Sequence, residues 1–167
     1  MLPINKFKYI ISWIPVAILM IIIFCFSAQE AAESMETSQS FSDTFFSILF
    51  PDIKKLSAEK QAEIIESCQF IVRKAAHFSV YGLLGILTCT ASRFSRFKFY
   101  PLISAGICLL YAVSDEIHQN FVEGRSCEFR DVMIDFGGSV TGIAGIILII
   151  QLIQKIKGAN YDRNKCI

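Results

Sequence analysis

Four apolar stretches alternate with charged segments along the chain, and their lengths set the first expectation. Residues 9–29 carry no formal charge, 75–92 hold only His77, and 99–114 and 136–154 hold none. A hydrocarbon layer about 30 Å thick takes roughly 20 residues of helix at about 1.5 Å each. The third stretch, at 16 residues, falls short by about a turn. Its helix is therefore expected to continue through Asp115 to Gln119. The pattern predicts an all-α fold, a four-transmembrane-helix bundle with spans near 9–29, 71–92, 99–119 and 134–154. One membrane domain would cover residues 1–158, with a polar, mobile cytoplasmic tail at 159–167.

The first stretch resembles a signal peptide only superficially. Lys6 and Lys8 precede it, but the apolar run exceeds the usual 7–15 residues of a signal core, and cleavage after Ala28 would put Phe26 at a small-residue position. It reads as an uncleaved helix. Between the first two spans, Phe41, Phe45, Ile48 and Leu49 recur at helical spacing until Pro51, which predicts a short amphipathic helix on the outer membrane surface. Ser57 is placed as an N-cap with Glu59 in the first turn. Ile64, Ile65, Cys68, Ile71, Val72 and Ala75 then form a stripe running into the second span, as one long helix or two collinear ones.

Composition agrees with a membrane protein. Apolar residues make up 53% of the chain, with fifteen Phe, and the mean hydropathy is +0.50. Net charge is only +1, so its distribution carries the information. With both termini inside, the inner segments hold Lys6, Lys8, Arg93, Arg96, Lys98, Lys155, Lys157, Arg163 and Lys165 against the single acid Asp162. That is the positive-inside pattern, and it predicts an N-in, C-in orientation in a cell membrane crossed several times. The six cysteines show no paired metal-like spacing. Cys25, Cys89 and Cys108 read as small apolar fillers. Cys68 and Cys127 fall on the same outer side, where a disulfide is the alternative to free thiols. Gly138 and Gly142, with Gly82 and Gly85 in the second span, predict close helix packing within the bundle or in a homo-oligomer.

The topology gathers polar side chains at one end. Ser27 and Gln29 close the first span, and Arg73, Lys74 and His77 open the second. Asp115, Glu116, His118 and Gln119 close the third, and Asp131 and Asp135 open the fourth. Short acids cannot reach water from a membrane helix as Lys and Arg can, and such groups are kept mainly for function. Helical spacing puts Asp115, His118 and Gln119 on one face, with Glu116 turned about 100° away. Lys74, His77 and Tyr81 share a face, as do Asp131 and Asp135. Arg125 lies in the loop that would cap the pocket.

Several chemistries fit this set. The groups can lock the helices as an internal charge network, with Lys74 or Arg125 on Asp131 or Asp135 and His77 on an acid. Asp115 and His118, at i and i+3, have the spacing of a helical metal site but form a weak one, and no metal or other cofactor is expected. A pocket for an anionic headgroup would use Arg73, Lys74 and Arg125 as donors. Proton-coupled transport is a fourth use. Nothing favours nucleic acid, because most basic groups serve as cytoplasmic anchors.

These residues carry a resemblance. Phe26-Ser27-Ala28-Gln29, Arg73-Lys74-Ala75-Ala76-His77-Phe78 with Tyr81, and Tyr111-Ala112-Val113-Ser114-Asp115-Glu116-Ile117-His118-Gln119 are similar to the VanZ-like family of small bacterial membrane proteins. Gly124-Arg125-Ser126 and Asp131-Val132-Met133-Ile134-Asp135, followed by Gly137-Gly138 and Gly142, extend the match over about residues 10–155. Family members often carry Pro before the Gly-Arg, where this chain has Glu123. The resemblance implies a polytopic helical protein of the bacterial plasma membrane, with low-level resistance to the glycopeptide teicoplanin as the associated phenotype. The expected partners are membrane lipids and a lipid-linked cell-wall precursor or lipoglycopeptide. The alternative is a membrane-embedded enzyme on a lipid phosphate, using a metal or His/Asp acid–base chemistry. No Ser, Cys or phosphate-loop motif supports it.

Overall fold

The computed structural model describes residues 6–28, 57–122 and 127–165, and among them the chain is entirely helical. Helix α1 covers Lys6–Ser27, α2 Ala58–Phe94, α3 Tyr100–Gln119 and α4 Phe129–Lys165. All four are long and apolar enough to cross a membrane. At about 1.5 Å per residue, α1 is about 33 Å long and α2 and α4 about 55 Å each. The last two therefore extend beyond a hydrocarbon layer about 30 Å thick. The amphipathic segment expected at 41–50, together with Gln29, Gly124 and Arg125, lies outside the described residues.

Helix boundaries follow local chemistry. Helix α2 begins after Ser57, whose backbone is extended as a cap requires, although its hydroxyl makes no capping bond. Glu59 sits in the first turn, favourable to the helix dipole. The helix then runs unbroken from the polar segment through the apolar span. A tight turn joins α2 to α3, with Arg96 in the left-handed region at φ 59°, and Pro101 starts α3 where a missing N–H costs nothing. Helix α4 continues through Gly158 to Lys165. The mobile tail expected at 159–167 is thus helical over most of its length. One glycine costs only about 1 kcal/mol in a helix interior, and the good helix formers Gln154, Lys155 and Lys157 precede it.

Helix α2 is central and touches the other three, and its contact with α4 is the most extensive. Glycine makes that contact possible. A Cβ on Gly142 would stand 2.0 Å from the backbone oxygen of Gly82, and one on Gly138 2.2 Å from that of Phe78. The small-residue pattern is therefore used inside the chain, between α2 and α4. Elsewhere the core is Val16 and Ile23 of α1, Tyr81, Leu84 and Ala91 of α2, Cys108 and Ala112 of α3, and Val132 of α4. Trp13, Leu19, Met20, Leu87 and Tyr111 pack against it.

The outer surface is apolar too. Ile10, Ile14, Ile18 and Ile21 line one exposed face of α1, and Leu148, Ile149, Leu152 and Ile153 one of α4. The α2 stripe divides between the two surroundings. Within it Ile71 and Ala75 are exposed, while Ile64, Ile65, Cys68 and Val72 are half-buried. Lipid tails are as apolar as leucine, so apolar periodicity in a membrane helix does not report which side is covered by protein. Cys68 and Cys127 are both free thiols.

Candidate functional site

The end of the bundle formed by Ser27, the stretch Lys74–Tyr81, Asp115–Gln119 and Asp131–Asp135 collects the polar side chains. Because α2 and α4 pack so closely, the faces bearing Lys74, His77 and Tyr81 and bearing Asp131 and Asp135 meet. Lys74 Nζ binds Asp131 Oδ2, with the two side chains 16% and 20% exposed. One turn further in, His77 Nδ1 stands 3.5 Å from Asp135 Oδ1. The rungs are spaced alike on the two helices, three residues apart on α2 and four on α4.

Helix α3 closes the third side. Tyr81, 1% exposed, donates its hydroxyl hydrogen to Asp115 Oδ2 at 3.0 Å. Gln119 Nε2 donates to the same oxygen at 3.4 Å. Tyr81 so ties α2 to the α3 acid, on the same α2 face that carries His77 toward Asp135. Ser139, one turn below Asp135, shares its hydroxyl hydrogen between the Asp135 carbonyl oxygen at 3.1 Å and the Tyr81 carbonyl oxygen at 3.2 Å, which links α4 to α2.

Two residues depart from the expected faces. Glu116, placed by helical spacing away from the site, is 1% exposed, and its Oε2 accepts the Glu128 backbone N–H at 3.0 Å. Asp115 and Glu116 both point inward because α3 packs against two neighbours, α2 on one side and the start of α4 on the other. The carboxylate of Glu116 so fixes the entry to α4. His118 turns the opposite way, toward α1, and its ring stacks on Phe24 at 4.3 Å between centroids. Asp115 and His118 thus contact different helices, α2 and α1. Among the described residues no group of three or more His, Cys, Asp or Glu is arranged to hold a metal ion.

Phe24 was not singled out by sequence, nor was Phe70. Phe70 lies one turn before Lys74 and presents its ring to both Lys74 and Arg130, 5.2 and 5.1 Å from the centroid. Its i, i+4 spacing to Lys74 was the available signal. Arg130 is exposed, binds Glu128 at 2.8 Å and approaches Asp131 to 4.0 Å.

The pairing is incomplete. Asp135 is 1% exposed, yet neither of its oxygens accepts a hydrogen bond. Asp115 Oδ1, His118 Nε2 and Ser27 Oγ are likewise buried without one. Buried polar atoms are nearly always hydrogen-bonded, so each such atom calls for a reason.

Fold and site together define a class: a polytopic helical membrane protein with carboxylates gathered at one end of its bundle. The VanZ/LLP1 family model matches residues 12–151, most of the chain, and the chain belongs to that family. Comparison with curated proteins and with solved structures returned no match.

Proposed function

We propose that this VanZ-family protein acts at the outer face of the bacterial plasma membrane, where the polar end of its bundle holds the head of a membrane-anchored envelope molecule. Asp135 carries this reading. A carboxylate at 1% exposure without a hydrogen bond is costly in a helix bundle. Its one basic neighbour, His77 Nδ1 at 3.5 Å, leaves both oxygens without a hydrogen bond. The basic bias of residues 93–98 and of both chain ends supports the orientation, since it puts the polar end outside. Cell-wall precursors and acylated glycopeptides meet the bilayer at that face, so tolerance to teicoplanin is the phenotype to examine.

The experiment is a deletion strain challenged with an acylated and a non-acylated glycopeptide, then complemented with the parent, Asp135→Asn or Asp115→Asn. The reading predicts that deletion sensitises the cells to the acylated compound and that neither variant restores tolerance at normal abundance. Full complementation by both variants contradicts it. Impermeant thiol labelling checks the orientation, with Arg96→Cys silent from outside in intact cells and Cys127 accessible.

A further inference from the structure

Around the polar end stand the carboxylates Asp115, Glu116, Asp131 and Asp135, and the inner basic groups paired with them are Lys74 and His77, while His118 stacks on Phe24. Arg130, beyond the rim, is tied to Glu128. Asp131 has Lys74 and Glu116 has the Glu128 N–H. Four buried carboxylate oxygens remain without a hydrogen bond: both of Asp135, Oδ1 of Asp115, and Oδ1 of Asp131, the last 4.0 Å from Arg130 Nε. Asp135 and Asp115 interact electrostatically with each other and with Tyr81. His77 stands off Asp135 at 3.5 Å and, at 32% exposure, is the outermost of the inner group.

An ionised carboxylate only accepts hydrogen bonds. A phosphate or carboxylate head arriving here would add acceptors and negative charge to an excess of both. A primary ammonium brings three donors on one compact cation, and the open oxygens of Asp135 and Asp115, away from the Lys74 and Arg130 cations beside Asp131, can accept them. We propose that the polar end recognises a primary ammonium group on its membrane-anchored ligand, with Asp135 as the main acceptor and Asp115 as the second. Tyr81 and Gln119 hold Asp115 by its other oxygen and leave Oδ1 for the ligand. The ammonium displaces His77 from its loose approach to Asp135. This assignment rests on the headgroup-binding reading above and replaces the anionic head that Arg73, Lys74 and Arg125 point to in the sequence.

Calorimetry on the full chain in maltoside micelles tests it, with dodecylammonium, dodecyl phosphate and ethylammonium as probes. Dodecylammonium is expected to bind saturably, with affinity lowered at least about tenfold by Asp135→Asn and by Asp115→Asn, a loss of 1.4 kcal/mol per tenfold. Both variants should keep the parent's elution volume, and two independent sites guard against one misfolded protein. Competition by ethylammonium assigns recognition to the amine alone. Its failure to compete assigns it to an amine on an anchored chain. Saturable binding of dodecyl phosphate without dodecylammonium overturns the ammonium assignment and leaves headgroup binding standing. Binding of neither anchored probe, or of dodecylammonium equally by parent and both variants, overturns the assignment. If the same variants also complement fully in cells, the headgroup reading falls with it.

Discussion

The two halves of the bundle bury polar groups on opposite terms. In the half toward residues 93–98, every polar group in the buried core is small and answered. Thr88 donates to the Leu84 carbonyl at 2.7 Å, Ser104 to Ser92 at 3.1 Å, and the Cys108 thiol to Thr88 at 3.8 Å. Trp13 Nε1 reaches Ser95 at 3.1 Å. In the other half the buried groups are carboxylates, and several of their oxygens have no hydrogen bond. Hydroxyls bonded to their own helix add little beyond a fitted shape. Carboxylates cannot be satisfied by carbonyls and need donors from elsewhere. The first half serves packing, and the second carries chemistry that packing does not explain.

Breaking the shared scaffold should give the largest effect. Gly142→Val forces a Cβ into the Gly82 backbone, and such overpacking is expected to cost about 3 kcal/mol and to strip the protein from the membrane. Gly145→Val, with nothing within 4 Å of its Cβ, should keep near-normal levels. Quantitative membrane blots with thermal unfolding in detergent compare the pair, and equal loss in both would refute the glycine contact.

Next in size is the outer rung. Lys74→Gln leaves Asp131 half-buried without its cation and should cost about 2 kcal/mol. Adding Asp131→Asn should recover most of that loss, because the penalty is the stranded charge. A double-mutant cycle with no coupling would show the pair to be an idle surface contact.

The effects then diminish toward the packed half. Tyr81→Phe removes the donor to Asp115 Oδ2 and is expected to cost about 1.5 kcal/mol. Ser104→Ala, in the other half, loses a bond that Ser92 can replace and should cost about 0.5 kcal/mol. If Ser104→Ala proves the more damaging of the two by unfolding midpoint, the contrast between the halves is misplaced.

Much of this was legible in the sequence. Span number, the continuation of α3 to Gln119 and the meeting of the Lys74–Tyr81 face with Asp131 and Asp135 follow from uncharged length and helical spacing. Which neighbour each residue meets does not follow. A helical wheel gives a direction for Glu116 and His118, but α3 is bordered by α1, α2 and α4, so Glu116 finds the start of α4 and His118 finds Phe24. Nor does the 64–75 stripe say which of its residues meet protein, since lipid rewards apolar side chains facing away from it, as Ile71 and Ala75 do. That both Asp135 oxygens lack a hydrogen bond had no sequence signal at all. Only the α2–α4 approach at Gly138 and Gly142 decides what can reach them.

Asp135→Asn tests the central claim most directly, because structure and function part at this residue. A structural keystone loses stability when its charge goes, whereas a buried carboxylate left without a hydrogen bond and held for a ligand does not. The measurement is the unfolding midpoint of the purified full chain, taken beside glycopeptide tolerance of complemented cells at matched abundance. The account predicts a midpoint equal to or above the parent's, with tolerance lost. A lowered midpoint with tolerance retained in the protein that remains would contradict it.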